Sequence, residues 1–138
     1  DISDVPGTGA AGAMGAGMIA FFGSRLQMGI QTVLDTVKFD EMISDADYII
    51  TGEGKLDSQS LRGKVVIGIA ERAKKQDKNV IAVVGGADDA EIDKAYEMGV
   101  TAVFPINRLP QDFSISRHHS KENRAYTVDN VLRLIAAK

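Results

Sequence analysis

Residues 80–84 constrain this chain most: five apolar residues in a row, Val80-Ile81-Ala82-Val83-Val84, closed by Gly85-Gly86. A short run with no polar position has no face to offer water, so a strand made from it must be covered on both sides. That requirement selects a parallel sheet with helices above and below, and the flanking sequence supplies them. Tyr48-Ile49-Ile50 reads as a second short strand. Val66, Ile69, Ala70 and Ala73 repeat at helical spacing, with Arg72, Lys74 and Lys75 suiting the negative end of that helix. Asp88 followed three residues later by Glu91 resembles a capping box with Asp in place of Ser or Thr. Ile92, Ala95 and Tyr96 give the next helix its face, and Gly99 its stop. Residues 101–106 form a third strand, in which Pro105 limits pairing. Val128, Val131, Leu132 and Ile135 define a closing helix. The order β-α-β-α-β-α predicts an α/β fold: a parallel, Rossmann-like sheet with flanking helices and right-handed crossovers.

The first 45 residues have another texture, glycine-rich and then helical. Residues 5–24 run for 20 positions without a charge, but six of them are glycines, so the segment is a poor membrane span. It reads instead as a helix over 8–22 whose Ala/Gly face permits close approach. Ile30, Val33, Leu34 and Val37 mark one face of a second helix, and residues 39–44 a short third. Three strands are few for such a sheet, and residue 1 is Asp rather than Met, so upstream strands are expected to complete it. No basic segment with a cleavage site suggests a signal peptide. At 138 residues and 44% hydrophobic the chain is able to bury a core without staples. The absence of cysteine excludes disulfides, thiolate metal sites and thiol nucleophiles. A net charge of −3 without a basic stripe argues against a nucleic-acid partner.

Ligands of an open parallel sheet bind outside the carboxyl ends of the strands. Three loops leave those ends: residues 51–60, 85–89 and 106–112. The first is the most loaded, with Thr51, Gly52, Glu53, Gly54, Lys55, Asp57, Ser58, Gln59 and Ser60 in ten positions. Its glycines expose backbone N–H groups able to cradle an anion, and a helix starting near Ser60 adds a positive end. The plainer reading is a polar loop whose Asp57 and Ser60 cap that helix, although capping needs one such residue and not this density. A second candidate, residues 6–12, matches G-x-G-x-x-G, but no hydrophobic strand precedes it and no acidic residue follows about 20 positions on. That argues against a dinucleotide site and leaves a phosphate-facing turn and close helix packing both open. Gly54-Lys55-Leu56 and Gly63-Lys64-Val65 lack the Ser/Thr of a Walker A motif, and neither a G-x-S-x-G elbow nor a kinase H-R-D signature is present. His118 and His119 are adjacent, diverge on a helix, and read as solvated surface.

Residues 6–15 (PGTGAAGAMG), followed by residues 51–64 (TGEGKLDSQSLRGK) and residues 81–86 (IAVVGG), resemble the signatures of bacterial glycerate kinases of the glycerate/glyoxylate utilisation type. The resemblance covers essentially the whole chain but only the C-terminal portion of a family member, and residues 107–125 depart most. It implies a cytoplasmic, ATP- and Mg²⁺-dependent phosphorylation of D-glycerate to 2-phosphoglycerate. It also implies two domains: residues 1–40 as the tail of an inserted second domain, and residues 41–138 as the C-terminal part of a discontinuous Rossmann-like domain. The partners implied are glycerate, ATP and the N-terminal part of the same protein. The chain alone is then expected to be inactive and, with a sheet edge exposed, to self-associate.

Phosphoryl transfer requires neutralised phosphate charge, a held metal and an oriented hydroxyl. Lys55 or Lys64 can neutralise phosphate, beside Thr51, Gly52, Gly54, Gln59 and Ser60. Glu53 can bind Mg²⁺, and Asp57 can accept the proton of the glycerate hydroxyl. The roles of Glu53 and Asp57 are exchangeable on this reading. The turn at Gly7, Thr8, Gly9 and Gly12 can close on the same anion, which places it within reach of residues 51–60. Two rivals remain open: a non-catalytic α/β domain that binds a small anionic ligand at the same loop, and a phosphotransfer or hydrolase half-site of another α/β family.

Overall fold

In the computed structural model, which describes residue 2 and residues 4–137, the apolar run is the middle of a three-stranded parallel sheet. Three helices come first: α1 (Ala10–Phe22), α2 (Gly29–Thr36) and α3 (Phe39–Met42). The alternation follows as β1 (Tyr48–Glu53), α4 (Val65–Lys74), β2 (Asn79–Val84), α5 (Asp89–Glu97), β3 (Ala102–Pro105), a short α6 (Phe113–Ser116) and the closing α7 (Ser120–Ala136). The strands lie in the order β1-β2-β3.

Both faces of β2 are covered, as its composition demands. Val80, Ala82 and Val84 belong to a core with Leu56, Val66, Ile67, Ala70, Ala73 and Ala95, which places α4 and α5 on one face. Ile81 and Val83 belong to a second cluster with Ile106 and Val131, flanked by Val128 and Ile135, which places α7 on the other. Alternation along one strand thus splits a uniformly apolar sequence between two cores. Gly99 follows α5 at φ +110°, a conformation that favours glycine, and a Cβ there would meet the Ala70 carbonyl oxygen.

Arg72 ties α2 and α3 to α4, and Gln76 and Lys78 add bonds to the Asp40 and Ser44 carbonyls. Arg72 of α4 meets both carboxylate oxygens of Asp40, at 2.9 and 2.7 Å, and also reaches Asp35 at 2.7 Å and Gln31 at 3.1 Å. Gly68 adds a close approach, because a Cβ there would collide with the Ile30 side chain.

Several expectations are corrected. Residues 8–22 are not one regular helix: Ala11, Gly12 and Ala13 have left-handed backbone at φ 52°, 67° and 66°. Small side chains supply no packing to hold that first turn, and local backbone bonds such as Ala16 N–H to the Thr8 carbonyl (3.1 Å) decide its path. Among the residues of α1 only Gly15 is buried, while Phe21 and Phe22 are 84% and 76% exposed. Leu34 is buried as its spacing predicts, but Val33 and Val37 are exposed. The third helix ends at Met42, short of residue 44. The capping box at Asp88 does not form, because Asp88 pairs with Lys55 and Glu91 pairs with Lys94. Among the described residues, no helix is long and apolar enough to cross a membrane.

Candidate active site

Parallel pairing brings the three strand ends level: Glu53 stands beside Val84, and Val84 beside Pro105. The first strand runs further than its apolar residues suggest. Thr51, Gly52 and Glu53 complete β1 instead of opening a loop, because Ala82, Val83 and Val84 offer them ladder partners. Beyond the ends the loops remain stitched together. Gly85 N–H donates to the Glu53 carbonyl (3.1 Å), Leu56 N–H to the Gly86 carbonyl (2.9 Å) and Asp88 N–H to the Leu56 carbonyl (3.0 Å). Asn107 Nδ2 donates to the Gly85 carbonyl at 3.0 Å, which ties in the third loop. The Leu56 side chain is fully buried in the core, a contact that stabilises by about 1.5–3 kcal/mol and fixes the middle of the polar segment.

The helix expected at Ser60 starts later. Residues 60–62 form a single 3₁₀ turn, Gly63 is left-handed, and α4 begins at Val65. Asp57 caps the short turn: its Oδ1 accepts from Gln59 N–H at 2.9 Å and from Ser60 N–H at 3.2 Å. Those donors, the Ser60 amide foremost, hold its carboxyl below the ordinary value, with Lys64 and Lys55 helping. Ser60 is buried and its Oγ donates to the Lys55 carbonyl at 3.1 Å. Gln59 Oε1 accepts from Lys64 Nζ at 3.3 Å, and Lys55 Nζ sits 2.8 Å from Asp88.

Glu53 differs from every other carboxylate in the segment. Its Oε1 is buried without a hydrogen-bond partner. Burial pushes the carboxyl above its ordinary value, the neighbouring Asp57 charge adds to that, and Ser60 and Lys64 oppose it. The two acids are therefore set apart, one held ionised and one raised.

The glycines also divide. A Cβ on Gly52 would strike the Val83 carbonyl oxygen, and one on Gly85 would strike that of Gly54. Both serve the close passage of neighbouring backbones. Gly54 alone of the three has open space where a Cβ would stand.

Of the residues expected at the site, Thr51, Gly52, Glu53 and Gly54 line a cleft of about 750 Å³, whereas Lys55, Asp57, Gln59, Ser60 and Lys64 do not. Its sheet side is residues 50–54, 83–85 and 106, and its far wall carries Phe113, Arg117, Lys121 and Arg124. The three cations escaped the reading of the sequence, although their spacing of four and three residues is helical and was the available signal. None of Gly7, Thr8, Gly9 and Gly12 lines this cleft. Thr8 is buried, its Oγ1 donates to the Val5 carbonyl at 2.9 Å, and Gly7 lies against Leu26.

Among the described residues no three His, Cys, Asp or Glu side chains gather as a metal cluster. Mg²⁺ does not require one, since it binds through one or two carboxylates, water and phosphate oxygens. The ionised Asp57 and the unpartnered Glu53 oxygen fit that donor set. The arrangement as a whole suits an anion against the cationic wall, with a carboxylate of raised proton affinity at its side.

The sequence profile of the glycerate kinase family matches residues 1–136. A glycerate kinase of Haemophilus influenzae is 41% identical over 99% of this chain and 36% of its own length. A glycerate 2-kinase of Escherichia coli (strain K12) is 46% identical over 77% of the chain and 28% of its own. A crystal structure of a Salmonella typhimurium LT2 protein assigned as glycerate kinase 2 superposes with a TM-score of 0.71 at 38% identity, over 95% of this chain and 33% of that one. The chain thus spans about a third of the length of the relatives it matches. With the profile matched almost end to end and the α/β architecture shared, the chain belongs to the glycerate kinase family.

Proposed function

We propose that the full-length protein transfers the γ-phosphoryl group of ATP to D-glycerate, giving 2-phosphoglycerate, and that the strand-end cleft is where transfer occurs. The observation that carries this reading is Glu53, whose buried oxygen lacks a partner at the edge of a cationic cleft. A base must have a proton affinity near its task, and a raised carboxyl meets that better than a lowered one. Glu53 therefore accepts the proton of the attacking hydroxyl. The freed oxygen forms a bond to the γ-phosphorus, the bond from phosphorus to the β–γ bridging oxygen breaks, and ADP leaves with that electron pair. Asp57 remains ionised and holds the turn that positions Ser60 and Lys64. This exchanges the two roles first assigned from sequence. Asp57 or Glu53 would hold Mg²⁺, which when bound would supply positive charge to offset that of the transferring group. Lys64 and Lys55 would turn to the same anion only on release from Gln59 and Asp88, their present partners.

The same reading places residues 1–40 in an inserted domain and residues 41–138 in a discontinuous Rossmann-like one, in a cytoplasmic enzyme. The Gly7–Gly12 turn reaches the substrate only through the closure of those domains. Residues 1–138 alone should then lack turnover, and β1, at the edge of the sheet, should promote self-association.

The test is ADP release by the full-length protein with D-glycerate, with the product identified by phosphorus NMR. Turnover that Glu53→Gln abolishes, with Arg133→Gln unaffected, supports the reading. ATP binding without ADP release would return the non-catalytic alternative.

A further inference from the structure

We infer that Arg117, Lys121 and Arg124 form the polyphosphate-binding wall of the cleft, taking the nucleotide and not the glycerate. The inference rests on the kinase reading for the identity of that nucleotide, but its physical basis is independent. One stripe of α7 carries Val128, Val131 and Ile135 against the sheet. Continued toward the helix start, the same stripe meets Arg124, Lys121 and, in the 3₁₀ turn just before, Arg117. The stripe changes from apolar to basic where it reaches the strand ends. A merely solvated set of charges belongs on the face turned away from the core. Here all three line the cleft opposite Gly54 and Gly85.

The cations are also uncommitted. Among the described residues none of the three is in an ion pair, whereas Arg133 on the same helix is bound to Asp129 at 2.7 Å. Arg117 has only an Nε contact to His118 at 3.3 Å. Seven residues separate the first from the last, about 10 Å along the helical axis. A row of that length matches a chain of phosphates better than a single carboxylate. Phe113, 77% exposed on the same wall, offers a flat apolar surface suited to a nucleobase.

The experiment uses the full-length protein with ATP, inorganic tripolyphosphate and D-glycerate as separate titrants in calorimetry, and thermal melting as a control. Arg117→Gln, Lys121→Gln and Arg124→Gln are each expected to weaken tripolyphosphate and ATP about tenfold or more. Their affinity for D-glycerate and melting temperature should not change, and Arg133→Gln should change neither ligand. Phe113→Ala should weaken ATP and spare tripolyphosphate. Tripolyphosphate binding that depends on the row sustains the inference even if no turnover is found. Three results overturn it: a wild-type protein that binds neither polyphosphate, variants that weaken D-glycerate in place of the polyphosphates, or variants that lower the melting temperature while polyphosphate affinity stays, which would make the row a packing surface for the rest of the protein.

Discussion

Gly52 and Gly54 are two residues apart in β1 and its exit, and they should fail in opposite ways when replaced by alanine. A methyl group on Gly52 has to displace the carbonyl of Val83, which belongs to the central strand and has no flexible end to swing aside. Overpacking against a well-packed interior costs about 1–3 kcal/mol. With a urea slope of about 1–3 kcal/mol/M, Gly52→Ala should lower the unfolding midpoint by roughly 1 M. Gly54 meets nothing within 4 Å, and its backbone is not among the left-handed positions. Gly54→Ala should therefore hold its midpoint, with a change of about 0.5 kcal/mol or less. It lies on the cleft, however, and a displaced ligand there should lower kcat/KM by roughly ten- to a hundredfold. Urea titration and steady-state kinetics on the full-length protein separate the two. If Gly52→Ala keeps its midpoint but loses activity, Gly52 serves ligand approach and the sheet-packing explanation is wrong.

Other expectations follow from the same contacts. Because the Glu53 carboxyl is raised, the folded state binds a proton more tightly than the unfolded one, so this residue makes stability fall as pH rises between the unfolded and folded values. Glu53→Gln should remove that slope, leaving stability at pH 7 equal or higher while turnover is lost; a less stable variant at pH 7 would refute the assigned cause. Leu56→Ala should cost about 2–5 kcal/mol, since the side chain is fully buried although its neighbours are polar, and denaturation measures this directly. Asp40 is held below its ordinary value chiefly by its hydrogen bond to Arg72, so its contribution is present above the unfolded value and lost as pH falls through the folded one. Arg72→Gln should flatten the acid limb of the stability curve; an unchanged limb would show that this clasp has no energetic weight.

What could be read from the sequence was whatever a local pattern determines. Residues 80–84 admit one environment, so the central strand, its two covered faces and the parallel alternation were legible. Leu34 and Val131 followed from spacing and are buried. Gly52 and Gly54 look identical in sequence, and only the neighbouring strand distinguishes them. Leu56 looked like part of a polar loop, and its burial depends on the core that β2, α4 and α5 build beneath it. Arg117, Lys121 and Arg124 lay in the stretch that matched the family pattern least. Their meaning appears only when α7 is laid across the sheet and the stripe that holds Val128 and Val131 is followed past the strand ends.

The most direct test is a crystal structure of the full-length protein with a non-hydrolysable ATP analogue, Mg²⁺ and D-glycerate. The polyphosphate should lie along Arg117, Lys121 and Arg124, with the glycerate 2-hydroxyl within hydrogen-bond reach of Glu53. A nucleotide bound away from the ends of β1 and β2, with Glu53 remote from both substrates, would contradict this arrangement.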